Sequence, residues 1–463
     1  MQKMINQSAF CFRLPALLLA LLPGLLAAPG RLCAQQAQQT QQAPRDSAAQ
    51  PVMGLREVLE TALKNSLGMR IARNNVSIAG TYNSYGYAGG LPLVTATASD
   101  VQSSNNLRQE FSNPANNKNS TNAPSNNVSA GLSASELVFN GGRVRAAKGR
   151  LDSAESQSRQ LLNSRALALI FNVTLKYYDI IRQQSYARTL QSSIDVSREK
   201  LRIVQAQQAI GLANNADLFQ SQVDLNTQLQ NLQAQQLVVE QDKTDLLTLM
   251  TLDPNSSIGV EDTILVDRDL RLGTILSGVQ SNPDIAAADQ QVSIARFLER
   301  ETGALRYPSL YLDAGYNLGR TQNAQGFSLL NLNYGPYAGV TINIPIFNGG
   351  IYRRQHEAAN YNTRNAALLK DTLLQNYTSN AVKNWQAYSN NLQQLETAKA
   401  NYDLSRRLLD LVLQRFQLRQ ATIVDVKNAQ QSFENAGFLL TNVSFAAKSA
   451  EIQLKRYANL LTY

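Results

Sequence analysis

The tetrapeptide Phe-Asn-Gly-Gly occurs twice, at Phe139–Gly142 and at Phe347–Gly350, and each copy opens a very long stretch that nothing breaks. Arg143–Ile210 contains no proline and a single glycine, Gly149; Ile351–Leu418 contains neither. A continuous helix over either segment would be about 100 Å long at 1.5 Å per residue. Coiled coils and helical barrels hold helices of that length, whereas ordinary globular cores do not. The closing segment shows the spacing of such an assembly: Leu439, Val443, Ala446, Ala450, Tyr457 and Leu460 recur largely in threes and fours.

The repeat extends well beyond four residues. With the two tetrapeptides superposed, Asp217 falls on Asp425 and Gln222 on Gln430. Upstream, a slightly different shift places Val76-Ser77-Ile78-Ala79 on Val292-Ser293-Ile294-Ala295 and Pro92 on Pro308. The change of shift marks a loop of variable length between the proline and the tetrapeptide. In the first copy this interval holds Asn105–Asn127, rich in Asn, Ser and Pro, and a surface loop is expected there. Each copy therefore reads helix, strand, loop, strand, turn, long helix, break, helix. The boundaries are residues 55–270 for the first repeat and 271–463 for the second.

The second copy shows its strands best. Leu310, Leu312, Ala314, Tyr316 and Leu318 alternate with Ser309, Tyr311, Asp313, Gly315 and Asn317; Ala338, Val340, Ile342, Ile344 and Ile346 alternate with Tyr337, Gly339, Thr341 and Asn343. Strict alternation over about ten residues is what a tilted strand needs to cross a membrane with one face toward lipid. It is equally the pattern of a half-buried soluble hairpin. The first copy alternates less cleanly, because Asp100 interrupts its apolar face. The glycines Gly141, Gly142, Gly349 and Gly350 permit a sharp turn where strand gives way to helix, and Phe139 and Phe347 suit a membrane interface.

The N-terminus reads as an export leader over residues 1–34. Lys3 and Arg13 precede the apolar run Leu14–Ala28, which is shorter than the ~20 residues of a membrane helix. Gln35–Gln50 is low-complexity, and residues 35–54 read as a disordered lead-in. Both cysteines, Cys11 and Cys33, lie in the leader, so no disulfide framework is expected. Cys33 is a candidate lipidation site, although Gly30-Arg31-Leu32 before it is a poor match to the small residues such a site prefers. Removing Lys3, Arg13 and Arg31 with the leader lowers the net charge from +9 to +6. The remaining basic residues are scattered among Gln and Asn, which speaks for solvated helix faces and against a nucleic-acid surface.

No catalytic constellation is present. The one histidine, His356, sits on a long helix with no Cys or His beside it, and there is no phosphate loop, metal-ligand spacing or nucleophile elbow. No enzyme activity, cofactor or metal is expected.

These features resemble the outer membrane efflux protein (TolC-like) family. The matching pieces are Ile344-Pro-Ile-Phe-Asn-Gly-Gly350, its partner Glu136-Leu-Val-Phe-Asn-Gly-Gly142, Ser281-Asn-Pro-Asp284 and the two helix breaks, Gly211–Asp217 and Arg419–Asp425. The resemblance runs from Leu55 to the end. Glu136-Leu137 departs from the usual apolar-Pro pair, and Ser66-Leu67 stands where the second copy has Asn282-Pro283. It implies a mainly α fold with a membrane β-barrel portion: a homotrimer whose 12-stranded barrel continues as a 12-helix tunnel. It further implies location in the outer membrane, extending into the periplasm, and a role as passive exit duct of a tripartite efflux or type I secretion system. The implied partners are a periplasmic adaptor and an inner-membrane pump of the RND, ABC or MFS type. Physics supplies part of this independently, since four strands cannot close a barrel and an open edge in lipid is costly. The competing reading is a secreted or periplasmic coiled-coil structural protein without transport activity.

The same resemblance places the two breaks at the tunnel entrance. Asp425 in Thr422-Ile-Val-Asp-Val426 would ring the entrance and attract cations, with Asn428 where a second acid would stand. Crowded carboxyls there would raise each other's pKa. Asp217 is the corresponding acid of the first tip. Thr422 with Asp425, and Asn214 with Asp217, also have the spacing of helix caps. The capping role is preferred for Asp217 and the pore role for Asp425, and the two are compatible. Gly211, Leu212, Phe416, Arg419, Gln420, Ala421 and Thr422 are the candidate latch and adaptor-docking residues. Ala421 stands where a basic latch residue is often found, and Phe416 lacks a hydroxyl at an aromatic latch position.

Overall fold

The computed structural model describes residues 52–260, 263–325 and 328–461, all within one compact unit, Gln50–Tyr463. The leader, Cys33 and most of the lead-in lie outside the described residues. The elements run α1 (Leu55–Asn65), α2 (Leu67–Tyr82), β1 (Leu93–Gln109), β2 (Lys118–Phe139), α3 (Arg143–Ala209) and α4 (Asn215–Leu249). The second half gives α5 (Leu272–Val279), α6 (Pro283–Ala304), β3 (Ser309–Asn323), β4 (Leu330–Asn343), α7 (Ile351–Gln417) and α8 (Ile423–Tyr457). The halves match in length where it matters: α3 and α7 each have 67 residues, α4 and α8 each 35.

The opening helix of each copy is two helices rather than one. Ser66 Oγ accepts from Met69 N–H (3.4 Å) and restarts the chain as α2; Asn282 Oδ1 accepts from Asp284 N–H (3.0 Å) and restarts it as α6. Both are short polar side chains that satisfy an orphan donor at a helix start.

The strands form one antiparallel sheet in the order β1-β2-β3-β4. The expected loop over Asn105–Asn127 is mostly strand. β1 and β2 stay paired as far as Gln109 and Lys118, with an irregularity between Asn105 and Leu107, and the connection is confined to residues 110–117. Backbone pairing does not require apolar side chains, so a polar hairpin can continue beyond the point where β2 leaves β3, at Ser125 and Asn323. β4 also differs from its expected span. It starts at Leu330 and ends at Asn343, opposite Ser309, because Pro345 lacks an N–H to donate and the partner strand begins only after Pro308. Ile346 and Phe347 are consequently outside the sheet and 94% and 87% exposed.

The helices pack around a girdle near their middle. Val58, Leu59 and Ala62 of α1 meet Ile170, Val173, Tyr177 and Ile181 of α3, Leu246 and Leu247 of α4, and Ile258 and Val260 of the connecting segment. A second cluster joins Ile275 and Val279 of α5, Ala381 and Tyr388 of α7, and Ala450 and Leu454 of α8. Val52 bridges Gly259 and Met53 N–H donates to Gly259 O (3.0 Å), so the last residues of the lead-in are ordered against this girdle. The seam expected on the last helix is only partly internal. Val443 and Ala450 are buried, whereas Leu439 is exposed and Leu460 falls beyond the end of α8.

Candidate functional site

Cross-strand register sorts the sheet into two chemically distinct faces, because paired residues point the same way. One face carries the rows Val94–Ala134–Ala314–Ala338, Ala96–Leu132–Tyr316–Pro336 and Ala98–Ala130–Leu318–Tyr334. The opposite face carries Thr95–Ser133–Gly315–Tyr337, Thr97–Gly131–Asn317–Gly335 and Ser99–Ser129–Gly319–Asn333. On the polar face hydroxyls bond directly across strands, Thr95 with Ser133 at 2.8 Å and Ser99 with Ser129 at 2.7 Å. The apolar face is open: Leu132, Tyr316, Val340 and Ile342 are all exposed. Charged residues bound it, with Glu136 paired to Leu312 at one margin and Asp100–Val128–Arg320–Leu332 as the row at the other. Leu312 to Arg320 spans about 27 Å along the strand, or about 20 Å of height at a 40° tilt, close to the ~25 Å apolar band of an outer-membrane barrel. Asp100 is therefore at the edge of the apolar belt, where Asn126 Nδ2 donates to it at 2.6 Å.

Four left-handed glycines join this sheet to the long helices. Gly141 and Gly142 have φ of +65° and +85°, and Gly349 and Gly350 have +67° and +77°. Gly142 and Gly350 are the N-cap residues of α3 and α7. Phe139 and Phe347 flank them, both exposed. The pairs are not equivalent in packing. A Cβ on Gly141 would stand 2.5 Å from Tyr307 Cβ, while Gly349 faces open space.

The far ends of the long helices turn back through two hairpins built alike. Gly211 and Arg419 occupy matching positions and both are left-handed, at +73° and +63°. Leu212 N–H donates to Gln207 O, and Gln420 N–H to Arg415 O, each at 2.8 Å. This is the Schellman closure of a helix C-terminus, which glycine adopts freely and arginine only at a cost. A second matching pair, Thr251 and Asn459, closes α4 and α8 the same way, so the internal repeat extends to the ends of both helices.

At the restarts, Asn214 Oδ1 accepts from Asp217 N–H (2.7 Å). Thr422 forms a full capping box: Asp425 N–H donates to Thr422 Oγ1 (3.2 Å) and Thr422 N–H donates to Asp425 Oδ2 (2.8 Å). Those bonds, the backbone one foremost, hold the exposed Asp425 carboxyl below the usual aspartate range, with Arg415 adding to the effect. Within one chain this is opposite to the rise expected from crowding. Asn428 lies one turn on, exposed beside Asp425.

The two tips meet through an apolar cluster. Phe416 and Val426 are buried with Ile203 and Val204, and Ala213, Leu218 and Ala421 pack around them. Phe416, 5% exposed, anchors the tip and offers no docking surface in this conformation. Gly211, Leu212, Arg419, Gln420 and Thr422 remain in solvent. Polar bonds extend the contact along the helices. Lys200, wholly buried on α3, donates to Asp224 of α4 at 2.7 Å, and Lys427 of α8 reaches the same carboxylate at 3.3 Å. Buried Gln430 donates to Ser193 and Ser197 of α3, and Gln417 to Glu199. Lys200 carries no sequence signal for burial; only the packing of the helices reveals it.

Among the described residues no group of three or more His, Cys, Asp or Glu side chains could hold a metal ion, and no helix is long and apolar enough to cross a membrane. The latter says nothing of strands. His356 Nδ1 lies 3.2 Å from Glu299 O at the start of α7, a contact between α6 and α7.

Over residues 58–251 and 277–460 the sequence matches the family of outer membrane efflux proteins. The chain belongs to that family. Outer membrane protein TolC of Vibrio cholerae is 23% identical over 350 residues, 72% of this chain and 77% of that protein. The fold is that of solved channels: the outer membrane protein VceC of Vibrio cholerae superposes with a TM-score of 0.72 at 19% identity, covering 87% of this chain and 95% of VceC. The Campylobacter jejuni outer membrane channel CmeC gives 0.72 at 19%, covering 87% and 85%. This efflux protein thus resides in the outer membrane and reaches into the periplasm, and it conducts rather than catalyses.

Proposed function

We propose that three copies of this efflux protein close one duct, a 12-stranded barrel in the outer membrane continued by 12 long helices through the periplasm. In this reading it is the passive exit of a tripartite efflux or type I secretion system, loaded by a periplasmic adaptor and an inner-membrane pump. The observation that carries it is the four-stranded sheet with one open apolar face, one polar face and two unpaired edges, running directly into helices of 67 residues. An open edge in lipid leaves backbone groups unbonded at several kcal/mol each, so further copies must complete the sheet. A non-transporting coiled coil accounts for the helices but leaves the apolar face without a partner.

The tips are the periplasmic entrance. Asp425 rings it and favours cations, and Asn428 beside it makes that preference weaker than a double acid ring would. Gly211, Leu212 and Gln420 supply the exposed surface for the adaptor. The test is imaging of the detergent-extracted outer-membrane fraction. Threefold particles with a stalk of about 100 Å are expected; stalkless or monomeric particles would overturn the duct.

A further inference from the structure

The polar face of the sheet is almost wholly neutral. From Leu93 to Asn105 on β1, Ser125 to Leu137 on β2, Ser309 to Asn323 on β3 and Asn331 to Asn343 on β4, its residues are Ser, Thr, Asn, Gly, Tyr, Leu and Val with one exception. The exception is Asp313. Its row is Leu93–Ser135–Asp313–Gly339. The charged residues of the other face mark the margins of the lipid belt, so within these four spans Asp313 is the one charge on the polar face.

The carboxylate is held in place from both sides. Ser135 Oγ on β2 donates to Asp313 Oδ1 at 2.7 Å, and Thr341 Oγ1 on β4 donates to Oδ2 at 2.8 Å. No cation pairs with it among the described residues; both partners are neutral hydroxyls, which fix its position without cancelling its charge. The wall around it is lowered by glycine. Gly339 is its direct partner on β4, where a Cβ would meet nothing within 4 Å, and the next residue of β4 on the same face is Tyr337, whose ring lies against Gly315. A fixed, uncompensated carboxylate with a glycine directly beside it projects its field into the space that the face encloses.

We propose that Asp313 sets the charge preference of the barrel section: repeated by symmetry, it forms an acidic ring near the periplasmic end of the lumen, separate from Asp425, and favours passage of cationic over anionic solutes. This rests on the duct reading, since the ring exists only if the polar face lines a closed lumen. The class of cargo it favours is cationic or zwitterionic with an exposed ammonium, and the class it disfavours is polyanionic.

The test uses the full-length protein in planar lipid bilayers under a KCl gradient, with reversal potential as the readout. The dilute side is kept at about 0.01 M, where the Debye length is about 30 Å and a wall charge acts across the lumen. Asp313→Asn retains the shape and both hydroxyl contacts. Gly339→Lys places an ammonium beside the carboxylate in open space, and serves if the first variant fails to assemble. Each is recorded alone and with Asp425→Asn, so that the entrance ring does not mask the barrel. Asp313→Asn should lower the cation-over-anion permeability ratio by about twofold or more, and Gly339→Lys should lower it further. Conducting Asp313→Asn channels whose reversal potential is unmoved in both backgrounds would overturn the ring and leave the duct intact, whatever Gly339→Lys does, and a Gly339→Lys channel whose reversal potential is the same when it also carries Asp313→Ser would overturn it equally. An absence of conductance from the unaltered protein would overturn the duct itself.

Discussion

A methyl group at Gly141 has nowhere to go, and the matching methyl at Gly349 has room, although both residues share the same left-handed backbone. The first site therefore combines backbone strain with a clash against the Tyr307 side chain, and the second has the strain alone. Gly349→Ala should cost about 1 kcal/mol, and Gly141→Ala about 2–4 kcal/mol once the overlap is added. Thermal unfolding of the detergent-extracted protein reads the difference; equal losses would mean that Tyr307 moves aside freely. The conformation could be expected from the sequence, since paired glycines between a strand and a helix leave few alternatives. The clash could not, because Tyr307 lies far along the chain. Asp425 divides in the same way. Its capping partner Thr422 was visible at a spacing of three, while the direction of its pKa depends on which atoms its carboxylate reaches.

Among the elements, one tie between helices is a buried charge. The Lys200 side chain is 0% exposed and depends on Asp224 of α4 for neutralisation; Lys427 adds a more exposed contact from α8. Removing the carboxylate strands a buried ammonium, so Asp224→Ala should destabilise by about 3–5 kcal/mol. Lys427→Ala should cost less than about 1 kcal/mol, because its side chain is about half exposed and its contact is screened by water. Burial by itself pushes the Asp224 carboxyl up, but the bonds from Lys200 and Gln220 outweigh it and leave the group below its ordinary value of 3.8. A depressed carboxyl stabilises the fold at every pH above the unfolded value and loses that contribution as pH falls through the native one. Melting curves of the parent and Asp224→Ala should accordingly stay separated from neutral pH to about 4 and converge below. A gap that closes at pH 6 would show that another group supplies the stability. The same scale holds the clearest departures from expectation. The polar hairpin of the first copy reads as a loop because its side chains are Asn and Ser, yet β1 and β2 simply continue their backbone ladder through it.

For the whole molecule the decisive feature is what the chain leaves open. β1 and β4 are the sheet edges, with β2 and β3 between them. At about 4.8 Å per strand the edges of a flat sheet stand about 14 Å apart, well beyond the ~7 Å limit for a disulfide. A cysteine on β1 and another on β4 therefore cannot pair within one chain, and they can pair between neighbouring chains of a closed barrel. Oxidising such a pair in membranes should give a ladder that stops at three chains. Monomer only, or a ladder running past three, would rule out the proposed closure.

Much of this architecture was written along the chain. The duplication, the turns at Gly141–Gly142 and Gly349–Gly350, the long helices, and the alternation of the second-copy strands are all local properties. Each depends on glycine freedom, on the absence of helix breakers, or on a period of two, and these act between residues close in sequence. Tertiary structure alone decided the rest: that Lys200 is buried, that Phe416 anchors the tip instead of presenting it, and that Asp313 is held between the hydroxyls of Ser135 and Thr341 on its two neighbouring strands. Those outcomes depend on which residues from distant segments are brought side by side, and one-dimensional spacing carries no record of that.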